Sequence, residues 1–273
     1  MLDFFISPAH AQEAAAGGGI AQIVMLVGFV LIFYFLLWRP QAKRAKQHKQ
    51  LIAGLSKGDE IVIGGNSSLN LMYDTVAGAV LFGIPGSERP WRDETPPKFI
   101  CPVPGYDRHF LVCEKLGFEM LTVKMNDDGR DMDALEMLVA NDPSVKAIWC
   151  VPKYSNPTGA IYSDVVVERL AAMKTAAPDF RIFWDNAYAE HHLGNGPASV
   201  KNILEACKAV ENPDRPLLFG STSKVTYAGA GVAVMAGSKI NIADAAGKMS
   251  IANIGHDKIN ELRHVRFFGD LDG

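Results

Sequence analysis

At 273 residues the chain has room for one large domain or two smaller ones, and 48% hydrophobic with 21% charged residues is a folding composition, which excludes a disordered chain. A formal net charge of −3 excludes a general attraction to nucleic acid, so any basic surface has to be local. Cys101, Cys113, Cys150 and Cys207 lack CxxC spacing, which argues against zinc or a redox pair and for buried thiols in a reducing compartment.

The first predicted element is a membrane span. Residues 20–38 carry no charged side chain and are apolar all round, long enough to cross a bilayer as one helix. Only Asp3 and Glu13 are charged before it, whereas Arg39, Lys43, Arg44, Lys46 and Lys49 follow it, with no acidic residue until Asp59. The basic side stays in the cytoplasm, so the amino terminus is expected outside. The same basic residues can hold anionic lipid heads, at about 1 kcal/mol each. Ala9-His10-Ala11 precedes the apolar run instead of following it, which speaks against a cleaved signal peptide. The expected organisation is a leader over residues 1–19, the span over 20–38, a basic juxtamembrane segment over 39–63 and a folded domain over 64–273.

Phe33-Tyr34-Phe35, Arg39-Pro40-Gln41 and Lys57-Gly58-Asp59-Glu60-Ile61-Val62, in that order after an alanine- and glycine-rich leader, resemble YajC, the single-span accessory subunit of the bacterial preprotein translocase. The resemblance covers residues 1–63. It implies translocase subunits and the lipid bilayer as partners, and an inner-membrane location with the carboxyl-terminal part in the cytoplasm. That family continues into a small cytoplasmic β domain, and this sequence does not. If the segment is a foreign joining, the expected location is the cytoplasm.

Beyond Gly64-Gly65 short apolar runs alternate with amphipathic stretches. Strands are predicted over residues 99–103, 120–123, 147–151, 182–184, 217–220 and 232–236. Helices are predicted over 69–82, 108–116, 132–140, 164–174, 200–210 and 241–250, with a last one inside 255–268. Such alternation means an α/β fold, a mostly parallel sheet covered by helices on both faces.

Four stretches at element ends carry chemistry. Gly64-Gly65-Asn66-Ser67-Ser68 opens a helix, where free N–H groups and hydroxyls form an anion cradle or simply a helix cap. Tyr154-Ser155-Asn156-Pro157-Thr158-Gly159 follows a strand, as a ligand-binding loop or a plain turn. Trp184-Asp185-Asn186-Ala187-Tyr188 ends the next strand with a carboxylate that needs a cationic partner if buried, or caps a helix. Ser221-Thr222-Ser223-Lys224 ends another with a lysine able to form a Schiff base with an aldehyde cofactor. Together these are the parts that hold pyridoxal phosphate. His191-His192 lack further ligands at a suitable spacing and are read as surface or dimer-contact residues, so no metal site is expected.

With Pro102-Val103-Pro104-Gly105-Tyr106-Asp107-Arg108-His109-Phe110 and Val151-Pro152-Lys153, the same stretches resemble the fold-type-I pyridoxal phosphate enzymes, specifically class I aminotransferases of a bacterial aspartate aminotransferase subgroup, over about residues 64–268. The resemblance implies an incomplete large domain of that fold and transfer of an amino group between an amino acid and a 2-oxo acid. It implies Lys224 as covalent anchor and proton shuttle, Asp185 paired with the pyridine nitrogen, and Asn156 and Tyr188 on the ring's 3-oxygen. Tyr106 would lie on the ring face, with Ser67, Ser68, Ser221 and Ser223 around the phosphate. A homodimer is implied as well. Val232 stands where many relatives have a phosphate-binding arginine. The family's amino-terminal segment and its carboxyl-terminal domain, which clamps the substrate carboxylate, have no counterpart, so impaired activity is expected. Two rival readings are a translocase accessory subunit carrying a passenger domain and a non-catalytic cofactor-binding module.

Overall fold

The computed structural model describes residues 60–269, apart from 95, 192, 194, 195 and 197. All of them belong to the second of the two units into which the chain divides, His48–Gly273. The expected leader, the membrane span over 20–38 and the basic segment up to residue 59 lie outside the described residues. Among the described residues no helix is long and apolar enough to cross a membrane.

Among the described residues eight strands form one sheet: β1 (Glu60–Ile63), β2 (Lys98–Val103), β3 (Glu119–Asn126), β4 (Gly129–Arg130), β5 (Val145–Cys150), β6 (Arg181–Asp185), β7 (Pro216–Ser221) and β8 (Ala233–Gly237), in the order β1-β8-β7-β6-β5-β2-β3-β4. The centre is parallel, from β3 through β2, β5 and β6 to β7. The two ends, β7-β8-β1 and β3-β4, are antiparallel. The connecting helices are α1 (Ser68–Phe82), α2 (Asp107–Lys115), α3 (Met132–Asn141), α4 (Asp164–Ala172), α5 (Ile203–Ala209), α6 (Lys239–Ala252) and α7 (Lys258–Phe268).

Every residue of β5 and of β6 is buried, which is why these strands read as continuous apolar runs. Their successive side chains face opposite sides of the sheet. Ile148, Cys150, Ile182 and Trp184 enter one core with α3 and α4 residues, while Ala147, Trp149 and Phe183 enter a second core with α1 and α2 residues. In the second core an aromatic row runs across four strands. Phe99 stacks on Trp149 at 4.6 Å, Trp149 meets Phe183 edge-on at 5.0 Å, and Phe183 stacks on Phe219 at 5.6 Å.

All six predicted strands and all seven predicted helices are present, with ends shifted by up to three residues. α5 is the most shortened, because the Asn202 side chain accepts from the Leu204 and Glu205 N–H groups and sets the start there. Two strands are additional. β4 is a two-residue hairpin return. β1 joins the sheet edge by pairing Glu60 with Gly237 and Ile63 with Val234, so the sheet begins four residues ahead of the expected boundary at residue 64.

The four cysteines are buried and free. Burial pushes the Cys207 thiol up to about 12 and raises Cys150 as well, with Arg130 partly opposing the latter. A thiol held neutral reacts slowly. Native protein at pH 8 is therefore expected to consume a thiol reagent only as fast as it unfolds; a burst of one equivalent from the folded chain would contradict this.

Candidate functional site

Because β2, β5, β6 and β7 run parallel, their carboxyl ends open on one edge of the sheet. Asp185 is the last residue of β6, lies opposite Phe219 of β7 and is 4% exposed. Its Oδ2 lies 3.1 Å from His109 Nε2, whereas Oδ1 is buried without a partner among the described residues. An orphaned buried carboxylate oxygen is costly unless a donor reaches it. A protonated ring nitrogen is such a donor, so Asp185 fits a pyridinium.

His109 is itself buried, on the first turns of α2, and stacks flat on Trp149 at 4.3 Å. That ring, and Phe99 beneath it, fix the imidazole plane. The chain reaches this position through a tight turn at Gly105, where a Cβ would lie 2.3 Å from the Pro102 carbonyl oxygen. Tyr106 stands edge-on to His109 at 5.1 Å. Tyr106, His109, Trp149, Asn156 and Tyr162 line one cleft, which brings Asn156, from the loop after β5, to the same end of the sheet.

Lys224 follows β7, and its Nζ sits 3.9 Å over the ring of Tyr188, three residues beyond Asp185. A cation over a phenol face is attracted by the ring quadrupole. The contact carries the amine to the turn that Asp185 opens. That turn is tied down on its other side by Lys153, whose buried amine donates to the Ala189 carbonyl at 2.7 Å. Burial lowers the Lys153 pKa and raises that of the nearby Glu190.

The serines form a third group. Ser67 is the amino cap of α1: its hydroxyl accepts from the Asn70 N–H and donates to Asn70 Oδ1 at 2.7 Å. Ser68 is the buried first residue of that helix. Ser221 and Ser223 hydroxyls lie 2.7 Å apart. The two loops abut, since Gly64 N–H donates to Ala233 O and Asn66 Nδ2 to Gly229 O. Gly231 makes the approach possible, because a Cβ there would lie 2.7 Å from Ser223 N and 2.8 Å from Asn66 O. The two abutting loops therefore carry four serine hydroxyls beside the amino terminus of α1, whose free N–H groups favour an anion. Val232 brings no charge to it; its N–H donates to Thr222 Oγ1 at 2.9 Å.

All the sequence-predicted positions thus fall into three groups: Asp185 with Tyr188 and Lys224, Tyr106 with Asn156, and the serines. His109 joins the first two groups, and sequence reasoning assigned it no role. Its partner lies 76 positions away, and a histidine in the first turn of a helix carries no local mark of such a bond.

Comparison with known proteins gives the family. The sequence model of the aspartate amino-transferase family matches residues 50–273. An aspartate aminotransferase of Corynebacterium glutamicum is 49% identical over 215 residues, 79% of this chain and 50% of that protein. The crystal structure of an aspartate transaminase from the same organism superposes with a TM-score of 0.75 at 49% identity, covering 78% of this chain and 50% of that one. The chain thus spans about half the length of the aminotransferases it matches. Residues 23–67 match a preprotein translocase subunit family, and YajC of Escherichia coli, a Sec translocon accessory complex subunit, is 48% identical over 66 residues, 23% of this chain and 60% of that protein. The two family matches overlap at residues 50–67, which include β1. With the site's strand-end geometry and a match over most of its length, the chain belongs to the aspartate aminotransferase family.

Proposed function

We propose that residues 64–273 are the cofactor-binding part of a pyridoxal phosphate aminotransferase, which moves an amino group between an amino acid, aspartate-like, and a 2-oxo acid. The observation that carries this reading is the buried Asp185, one oxygen of which has no partner among the described residues, on the strand next to the one that delivers Lys224. Bound pyridoxal phosphate supplies an electron sink that acidifies the substrate's Cα–H bond. Asp185 Oδ1 would hold a proton on the ring nitrogen, and the His109 bond to Oδ2 keeps the carboxylate in that orientation. Tyr188 and Asn156 would hold the ring's 3-oxygen, and Tyr106 would lie against a ring face. Ser67, Ser68, Ser221 and Ser223, with the first N–H groups of α1, would hold the phosphate. Lys224 would hold the cofactor's aldehyde carbon and would be the base nearest the substrate's Cα–H bond.

Pyridoxal phosphate titrated into the full purified chain, followed by borohydride reduction and peptide mass mapping, tests this. One label is expected, on Lys224, together with an absorbance band that Lys224→Ala removes. Wild-type chain without label, or labelled at other lysines with Lys224 spared, would overturn the reading.

A second reading is favoured by the match over residues 23–67. In it residues 1–63 form a leader, an inner-membrane span over 20–38 and a basic cytoplasmic segment, dock on translocase subunits and lipid, and carry the remainder as a passenger facing the cytoplasm. Recovery of the chain with translocase subunits from detergent-solubilised membranes, lost when residues 1–59 are deleted, distinguishes it. The cofactor-binding part is proposed to pair as a homodimer.

A further inference from the structure

The loop that carries Lys224 has a fastening that the proposed chemistry does not use. β7 ends at Ser221, β8 begins at Ala233, and α7 lies against the connection between them. From one face of α7, Asn260 Nδ2 donates to the Gly231 carbonyl at 2.8 Å, at the far end of the loop. One turn on, His264 reaches the near end. Its Nε2 lies 2.8 Å from Thr222 Oγ1 and 2.7 Å from Thr226 Oγ1. Both α7 side chains are buried, Asn260 at 8% and His264 at 5% exposure, although their helix is at the surface.

The bond pattern orients the imidazole. His264 Nδ1 lies 2.8 Å from the Asn260 carbonyl oxygen, which can only accept, so Nδ1 carries a proton. Nε2 is then directed at the two threonine hydroxyls. Thr222 is the neck of the loop: its N–H donates to Val232 O, its Oγ1 accepts from Val232 N–H, and it lies two residues before Lys224. Thr226, two residues after Lys224, closes back on the Thr222 carbonyl at 3.0 Å. The lysine is therefore the middle of a five-residue turn whose flanking threonines both meet one histidine ring. Tyr227 packs edge-on against that ring at 5.6 Å and keeps it in place.

We propose that His264 is a positioning residue for Lys224, clamping residues 222 and 226 so that the amine between them is presented at the Tyr188 ring instead of sampling the exposed loop. The inference rests on the reading of Lys224 as the cofactor anchor for its consequence, but the clamp itself is a property of the chain without cofactor. Loss of the ring leaves Thr222 and Thr226 without their shared buried partner and frees the neck.

His264→Ala is expected to increase amide hydrogen exchange within residues 222–232 of the cofactor-free chain, most at Thr222 and Val232. It is also expected to weaken pyridoxal phosphate binding roughly ten- to hundredfold. His264→Gln, whose amide reaches the place of Nε2, should restore most of both. Thr226→Val, which removes one hydroxyl at constant shape, should give a smaller change in the same direction and serves if His264→Ala does not fold. Unchanged exchange over 222–232 in both His264→Ala and Thr226→Val would overturn the clamp. Faster exchange with unaltered cofactor affinity would overturn its consequence for Lys224. If the wild-type chain takes up no cofactor, the reading of the site fails, while the exchange arm still decides whether His264 holds the loop.

Discussion

Asp185→Asn is expected to lower pyridoxal phosphate affinity by about 10- to 100-fold while leaving the cofactor-free protein as stable as before, or more so. The opposite directions follow from one geometry. In the cofactor-free chain the carboxylate is 4% exposed, has His109 on Oδ2 and, among the described residues, nothing on Oδ1. A buried charge paired on one side only carries a desolvation cost, which the neutral amide avoids. The amide still offers an oxygen to His109, so the stack of His109 on Trp149 should persist. With cofactor present the balance reverses, because the charge-assisted bond to a ring N–H is lost. Thermal melts with and without pyridoxal phosphate measure both: the cofactor-induced rise in Tm should largely vanish and the cofactor-free Tm should not fall. An equal cofactor-induced rise in the variant would mean that Asp185 does not meet the ring nitrogen.

A larger loss of stability, with no effect on the site, is expected at the opposite end of the same strands. Lys146, at the start of β5, and Asp179, just before β6, form a buried pair at 3.0 Å. Asp179 Oδ2 also accepts from Trp91 Nε1 at 2.8 Å and from Ser87 Oγ at 2.7 Å, and Lys146 reaches Glu94 at 3.1 Å. The acid thus terminates three donors from two segments, Ser87 and Trp91 of the α1–β2 connection and Lys146 of β5. Asp179→Ala strips all three at once and should cost about 3–5 kcal/mol, the scale for breaking a buried ion pair from one side. The double change Lys146→Met with Asp179→Leu should cost less than Asp179→Ala alone, because the buried ammonium that would keep Glu94 as its one ion-pair partner is removed with the acid, and Glu94 retains Arg89. Urea unfolding of the three proteins checks the order. A single Asp179→Ala loss below about 1 kcal/mol, the scale of an exposed pair, would show that water reaches the cluster.

The second case shows where reading the chain stops. Lys146 lies in an apolar run and Asp179 in a short polar turn, and nothing near either in sequence points to the other. The strands themselves were legible, because burial on both faces leaves a continuous apolar run that ends abruptly. The edge strand β1 was not. Its burial alternates, Ile61 and Ile63 face outward, and its partner β8 lies more than 170 positions on. A four-residue stretch of that kind is a strand only because β8 offers a free edge to pair with.

The same division runs through the site. Lys224, Asp185, Asn156, Ser67 and Ser221 could be picked out because each stands at the end of a strand or the start of a helix, and such ends are local events, written in a handful of consecutive residues. Their grouping also followed in outline, since parallel strands must deliver their carboxyl ends to one edge. What tertiary structure alone decided is which side chains brace them. His109 reaches Asp185 across 76 positions, and His264 reaches Thr222 across 42. A supporting bond needs only one donor and one acceptor brought within about 3 Å. Neither residue has to look unusual in its own neighbourhood, so the packing of α2 and α7 against the sheet, and not the string of letters around each histidine, assigns them their places.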